Sequence, residues 1–222
     1  MFDALQQHMP FLLQGLWMTV RVTLLGICFG TLLGALVGIA RALGPRPLFW
    51  LLGAYIHLWR GTPFLCQIYI VYFVLPQTGA AWLQFDSFQA SVVALTIYSS
   101  SYIAEIVRAA INAVPRGQVE GARSVGMTSS QTLRYVIAPQ ALRMVLPPLG
   151  GVYVIMVKVT AVLSVIGTTE LVRQANLVIQ RDPANIMPIF LVVAALYFVF
   201  CYPLLRLTQW AERRYGGLHL EA

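Results

Sequence analysis

Residues 22–40 read V-T-L-L-G-I-C-F-G-T-L-L-G-A-L-V-G-I-A, a run with no charged side chain. A hydrocarbon core about 30 Å thick needs about 20 mostly apolar helical residues to cross it. The run therefore predicts a membrane-spanning helix, placed over residues 16–40. Gly26, Gly30, Gly34 and Gly38 recur at every fourth position, so they fall on nearly one face. Another helix can approach closely there; a smooth pore-lining face is the alternative use. The Gly44-Pro45-Arg46-Pro47 turn ends the span.

Further apolar blocks follow at residues 49–75, 88–107, 146–166 and 186–205. The second is interrupted by Arg60-Gly61-Thr62-Pro63. Of the 222 residues, 59% are hydrophobic and 10% charged, where a soluble chain carries roughly a quarter charged. The expected fold is an all-α membrane protein, one domain over residues 1–222, with five transmembrane helices in contact with lipid. The net charge of +7 comes almost entirely from arginines that fall between the apolar blocks. That placement belongs to loops of membrane proteins and not to the soluble basic face that nucleic acid requires. Cys28, Cys66 and Cys201 lie scattered in apolar segments without metal-ligand spacing and read as packing residues. No basic residue precedes Arg21, so the first block is expected to be retained and not cleaved as a signal peptide.

Five spans put the termini on opposite sides. One set of loops carries ten arginines: Arg41, Arg46, Arg108, Arg116, Arg123, Arg134, Arg143, Arg206, Arg213 and Arg214. The other set carries two, Arg173 and Arg181. The positive-inside rule then predicts the N-terminus outside, the C-terminus in the cytoplasm, and residues 108–143 as a cytoplasmic loop.

That loop holds Glu120-Gly121-Ala122-Arg123-Ser124-Val125-Gly126 and, later, Val136-Ile137-Ala138-Pro139. It reads as two short helices with a break. Gly121 and Ala122 leave room for a close partner. Gly126 suits the left-handed residue that ends a helix, and Thr128 with Gln131 forms a capping box for the next. Pro139 and Pro147-Pro148 are expected to bend the chain before it re-enters the membrane. An ordinary surface loop would also fit these residues.

The segment resembles the E-A-A-x3-G-x9-I-x-L-P loop of ABC importer permeases at Glu120, Ala122, Gly126 and Pro139. Gly121, Val136 and Ala138 are mild departures from it. Arg60-Gly61-Thr62-Pro63, residues 102–108, Pro115-Arg116-Gly117-Gln118, residues 139–143, Ser164-Val165-Ile166-Gly167 and Glu170-Leu171 are similar to its polar amino-acid branch. The resemblance implies a permease of the bacterial inner membrane, working as a homo- or heterodimer by alternating access. It implies a cytoplasmic ATPase dimer docked on the loop and an extracytoplasmic amino-acid-binding protein. No cofactor is expected on this chain, because it has no G-x-x-x-x-G-K-[ST] loop. ATP and Mg would act through the partner ATPase.

Lys158 falls near the middle of the fourth span. A buried ammonium there is costly and marks a functional residue by default; an amino-acid carboxylate would suit it, with the Thr160 hydroxyl nearby. A structural pairing is the alternative. Where the family's cationic-substrate members resemble Lys-Asp-Thr/Ser-Ser, this chain has Val159 after Lys158. Either the substrate is neutral or acidic, or a partner permease holds the site. Arg60, Thr62 and Glu105 complete the substrate-path candidates, although Glu105 with Arg108 also reads as a local ion pair. A stand-alone channel or secondary transporter would show paired repeats and more spans. An enzyme would show H-E-x-x-H or G-x-S-x-G, and neither occurs.

Overall fold

The computed structural model describes residues 2–215, and the described residues contain helices and no strand. Helix α1 (Phe2–Leu43) is followed by α2 (Arg46–Gly61) and α3 (Phe64–Tyr69), which continues as one π turn and one 3-10 turn to Thr78. Then come α4 (Ser87–Asn112), α5 (Arg116–Ser124), α6 (Ser129–Thr132), α7 (Ala138–Val159), α8 (Leu171–Arg181) and α9 (Ile186–Tyr215). Four helical stretches are long and apolar enough to cross a membrane: residues 6–43, 87–112, 129–166 and 183–214. A fifth crossing is available if α2 and the segment from Phe64 to Thr78 count together; the two are bent by 107°.

The glycine face of α1 packs on α4, as its spacing predicts. A Cβ built on Gly26 meets Leu95, on Gly30 Ser99, on Gly34 Ile103, and on Gly38 Ala104 and Val107. Both sets of numbers rise together in steps of about four, so α1 and α4 are parallel neighbours. The chain between them must therefore climb back to the end where α1 began. Only the bent pair of α2 and α3 lies between them to do so. Gly150 of α7 faces Thr208 of α9, and Val154 and Val157 meet Cys201. Those numbers run oppositely, and α7 and α9 are antiparallel.

Several boundaries differ from the sequence expectation. Helix α1 begins at Phe2 and not near Leu16, and Leu12, ahead of the expected start, is buried with residues of α8 and α9. The fourth span starts earlier than residue 146: its helical stretch runs from Ser129 to Ile166, with Pro139, Pro147 and Pro148 inside it. Pro139 has no N–H to give the carbonyl four residues back, and the ladder widens into a π turn at Leu133–Ile137 just before it. The span ends in a 3-10 segment at Thr160–Ile166 and the left-handed Gly167.

Candidate functional site

At one end of the bundle α5 and α6 form a rigid knuckle. Met127 N–H bonds Ala122 O at 3.1 Å and Gly126 N–H bonds Arg123 O at 3.0 Å. This is the Schellman pair that closes a helix through a left-handed residue, and Gly126 has φ +81°. The next helix starts at once: Gln131 N–H bonds Thr128 Oγ1 at 3.3 Å while Thr128 N–H bonds Gln131 Oε1 at 2.9 Å. Both elements are thus capped back to back, as the sequence predicts. Glu120, Gly121 and Pro139 are exposed, and a Cβ on Gly117, Gly121 or Gly126 would meet nothing within 4 Å. Ala122 differs in being buried against the chain's own residues. Val125 at 77% and Tyr135 at 60% exposure add an apolar component that the motif did not single out.

Arg60, Thr62 and Glu105 share one neighbourhood where α2 breaks against α4. The break leaves carbonyls at the end of α2 without helical partners. Gln67 Nε2 donates to Trp59 O at 2.7 Å, Thr62 O at 3.0 Å and Thr62 Oγ1 at 3.0 Å. Thr62 Oγ1 donates onward to Leu58 O at 2.8 Å. Gln67 is buried, and its Oε1 has no hydrogen-bond partner among the described residues. Arg60 is exposed with its guanidinium 4.9 Å over the Tyr102 ring. Tyr102 and Tyr98 join hydroxyls at 3.2 Å, and Phe64 packs on Tyr98 with the rings tilted by 41° and their centroids 4.7 Å apart. One turn beyond Tyr102, Glu105 pairs with Arg108, as its spacing predicts, and also with Arg41 Nη1 of α1 at 2.5 Å. Arg41, almost buried, lies 4.7 Å over the Phe49 ring of α2. Sequence spacing carried no signal for Gln67 or Arg41, because their partners are on other elements or across the break.

Lys158 and Thr160 differ in exposure. Lys158 is exposed on α7, on the flank near Cys201 of α9, with no ion pair among the described residues. Thr160 is completely buried and donates to Val157 O at 2.6 Å. Its hydroxyl also meets that of Tyr197 in α9.

Residues 26–217 match the family model described as the inner membrane component of binding-protein-dependent transport systems. The L-cystine transport system permease protein TcyB of Bacillus subtilis is 35% identical over 96% of this chain and 90% of its own. The glutamine transport system permease protein GlnP of Escherichia coli K12 is 36% identical over 96% of both chains. A chain in the crystal structure of an amino acid ABC transporter with histidines superposes with a TM-score of 0.86 at 39% identity, over 96% of this chain and 98% of that one.

Proposed function

The chain belongs to the family of inner membrane components of binding-protein-dependent transport systems, and on that premise we propose that it is the permease subunit of an ATP-driven amino-acid importer. The observation that carries the reading is the near full-length match to permeases named for L-cystine and glutamine. Those two substrates share an α-carboxylate and an α-ammonium and differ in their side chains. The common element is the zwitterionic head group, and a polar amino acid is the proposed cargo.

In this reading the bent pair of α2 and α3 completes five crossings, the arginine-rich end lies in the cytoplasm, and α8 lies outside. The α5–α6 knuckle docks on a separate ATPase dimer through Glu120, Gly121, Gly126 and Pro139, with Ala122 as its buried brace. Its double capping supports this role, because a rigid contact transmits displacement where a flexible loop would absorb it. The energy source is external: the only lysine, Lys158, is followed by Val159, so the chain holds no phosphate-binding G-x-x-x-x-G-K-[ST] loop. A second permease subunit and an extracytoplasmic binding protein complete the assembly in the bacterial inner membrane. Substrate passes the strip of Arg60, Tyr102 and Glu105, where Thr62 and Gln67 hold the broken backbone that lines it. Thr160 serves as packing behind the path.

Lys158 is the candidate for the substrate carboxylate. The test is ATP-driven uptake of a labelled amino-acid panel in proteoliposomes holding the complete complex, comparing wild type with Lys158→Ala. We expect uptake of one polar class, reduced at least tenfold in the variant while basal ATP hydrolysis persists; loss of one charge-assisted contact, about 1.5–3 kcal/mol, accounts for that factor. No ATP-dependent uptake of any amino acid would sink the importer reading. Unchanged uptake in the variant would instead support a second reading, in which the partner permease holds the substrate site; Val159 beside the lysine favours it.

A further inference from the structure

Glu170 has no exposed surface and pairs with no cation among the described residues. It lies where α1, α8, α9 and the 3-10 segment at Thr160–Ile166 converge. Its Oε1 accepts Arg173 N–H at 2.7 Å. Its Oε2 accepts Val172 N–H at 2.8 Å and the Tyr197 hydroxyl of α9 at 3.3 Å. The preceding amide, Leu171 N–H, donates to Thr19 Oγ1 of α1 at 3.1 Å, and Thr19 donates to Gly15 O at 3.1 Å. All three first-turn amides of α8 are therefore held by side chains. Leu12, Ala175, Val178 and Ile189 close an apolar shell around the junction.

Two physical demands on this carboxyl oppose each other. Burial without a counter-charge disfavours the anion, while three donors, two of them at a helix N-terminus, favour it. The two forms also hold α8 differently. An ionised carboxyl accepts at both oxygens, whereas a protonated one must donate from one of them. The acid can keep its contact with Tyr197 only if that hydroxyl turns to accept, and its protonated oxygen is a poorer acceptor for the α8 amide it holds.

We propose that Glu170 is a proton-responsive latch: ionised, it pins the first turn of α8 to α1 and α9, and protonated, it loosens that turn. Burial moves the carboxyl from the usual carboxylate range up to about 7, so the change falls near neutrality. From α9 it is faced by the Tyr197 hydroxyl, which in turn meets Thr19 of α1 and Thr160 of the 3-10 segment, side chains that do not titrate. Lys158, two residues before Thr160, is exposed and makes no ion pair with it. At the far end of α8, His8 of α1 lies 3.7 Å from Asp182. The latch's role in transport rests on the permease reading, in which α8 joins the fourth and fifth spans.

The test is amide hydrogen exchange in the assembled complex between pH 6 and pH 8, corrected for intrinsic rates. Protection of Val172 and Arg173 should rise roughly tenfold across that window in wild type, one pKa unit in free-energy terms. It should be flat in Glu170→Gln. Tyr197→Phe removes a donor to the anion and should move the midpoint to higher pH, which keeps the test decisive if Glu170→Gln does not assemble. Flat protection in wild type, an unchanged rise in Glu170→Gln, or an unmoved midpoint in Tyr197→Phe would each overturn the latch. ATP-driven uptake measured alongside separates the two levels: uptake absent at every pH defeats the permease reading, and uptake present with pH-independent protection defeats the latch alone.

Discussion

A Cβ on Gly38 would stand 2.5 Å from the Ala104 carbonyl oxygen and 2.8 Å from Val107 Cβ. The first of these is backbone and cannot rotate away, so the two helices would have to separate. Gly38→Val should lower stability by about 1–3 kcal/mol, the usual cost of overpacking, seen as a lower melting temperature of the purified protein in detergent. An unchanged melting temperature would mean that α1 and α4 do not meet as closely as described. Gly61 offers the contrast, since a Cβ there meets nothing within 4 Å. Four evenly spaced glycines were legible as a packing face. Their partner side chains were not, because Leu95, Ser99, Ile103 and Val107 differ in size and polarity and lie on a distant segment of the chain.

At the scale of elements, the knuckle between α5 and α6 depends on one left-handed residue. Gly126 has open space around its Cα yet a φ of +81°, so the penalty for substitution is conformational and not steric crowding. A β-branched residue there costs about 1–2 kcal/mol or more and should distort the proposed docking surface while the spans stay inserted. Gly126→Val and the charge reversal Glu120→Lys are expected to lower uptake several-fold without lowering basal ATP hydrolysis in step. Proportional loss of both activities, or normal uptake, would remove the knuckle from the coupling role. The capping box and the glycine stop were readable locally, because both ends of each contact lie within five residues. Burial of Ala122 was not readable, since it depends on how α5 lies against the rest of the chain.

For the whole molecule, the parallel packing of α1 and α4 and the antiparallel packing of α7 and α9 make a definite statement about sides. With five crossings, the α5–α6 knuckle and α8 face opposite compartments. Single cysteines placed at Gly121 and Gln180, both exposed, in a background with Cys28, Cys66 and Cys201 replaced, test this. In intact cells a membrane-impermeant thiol reagent should label position 180 and leave position 121 unlabelled until the membrane is opened. Labelling of both from outside would break the five-span topology, and the reverse pattern would invert the orientation.

The sequence by itself determined that the chain is a helical membrane protein, where its apolar blocks fall, and which loop carries the knuckle. Those features rest on length, hydropathy and short-range capping, all of which are local. Only the tertiary structure decided the 107° bend that Gln67 ties down, the union of Arg41 with Glu105, the separation of exposed Lys158 from buried Thr160, and the enclosure of Glu170. Each of these depends on which surfaces meet across tens of residues of chain. Periodicity can place a polar residue on a helix face, but burial and pairing are fixed by the neighbour that covers that face.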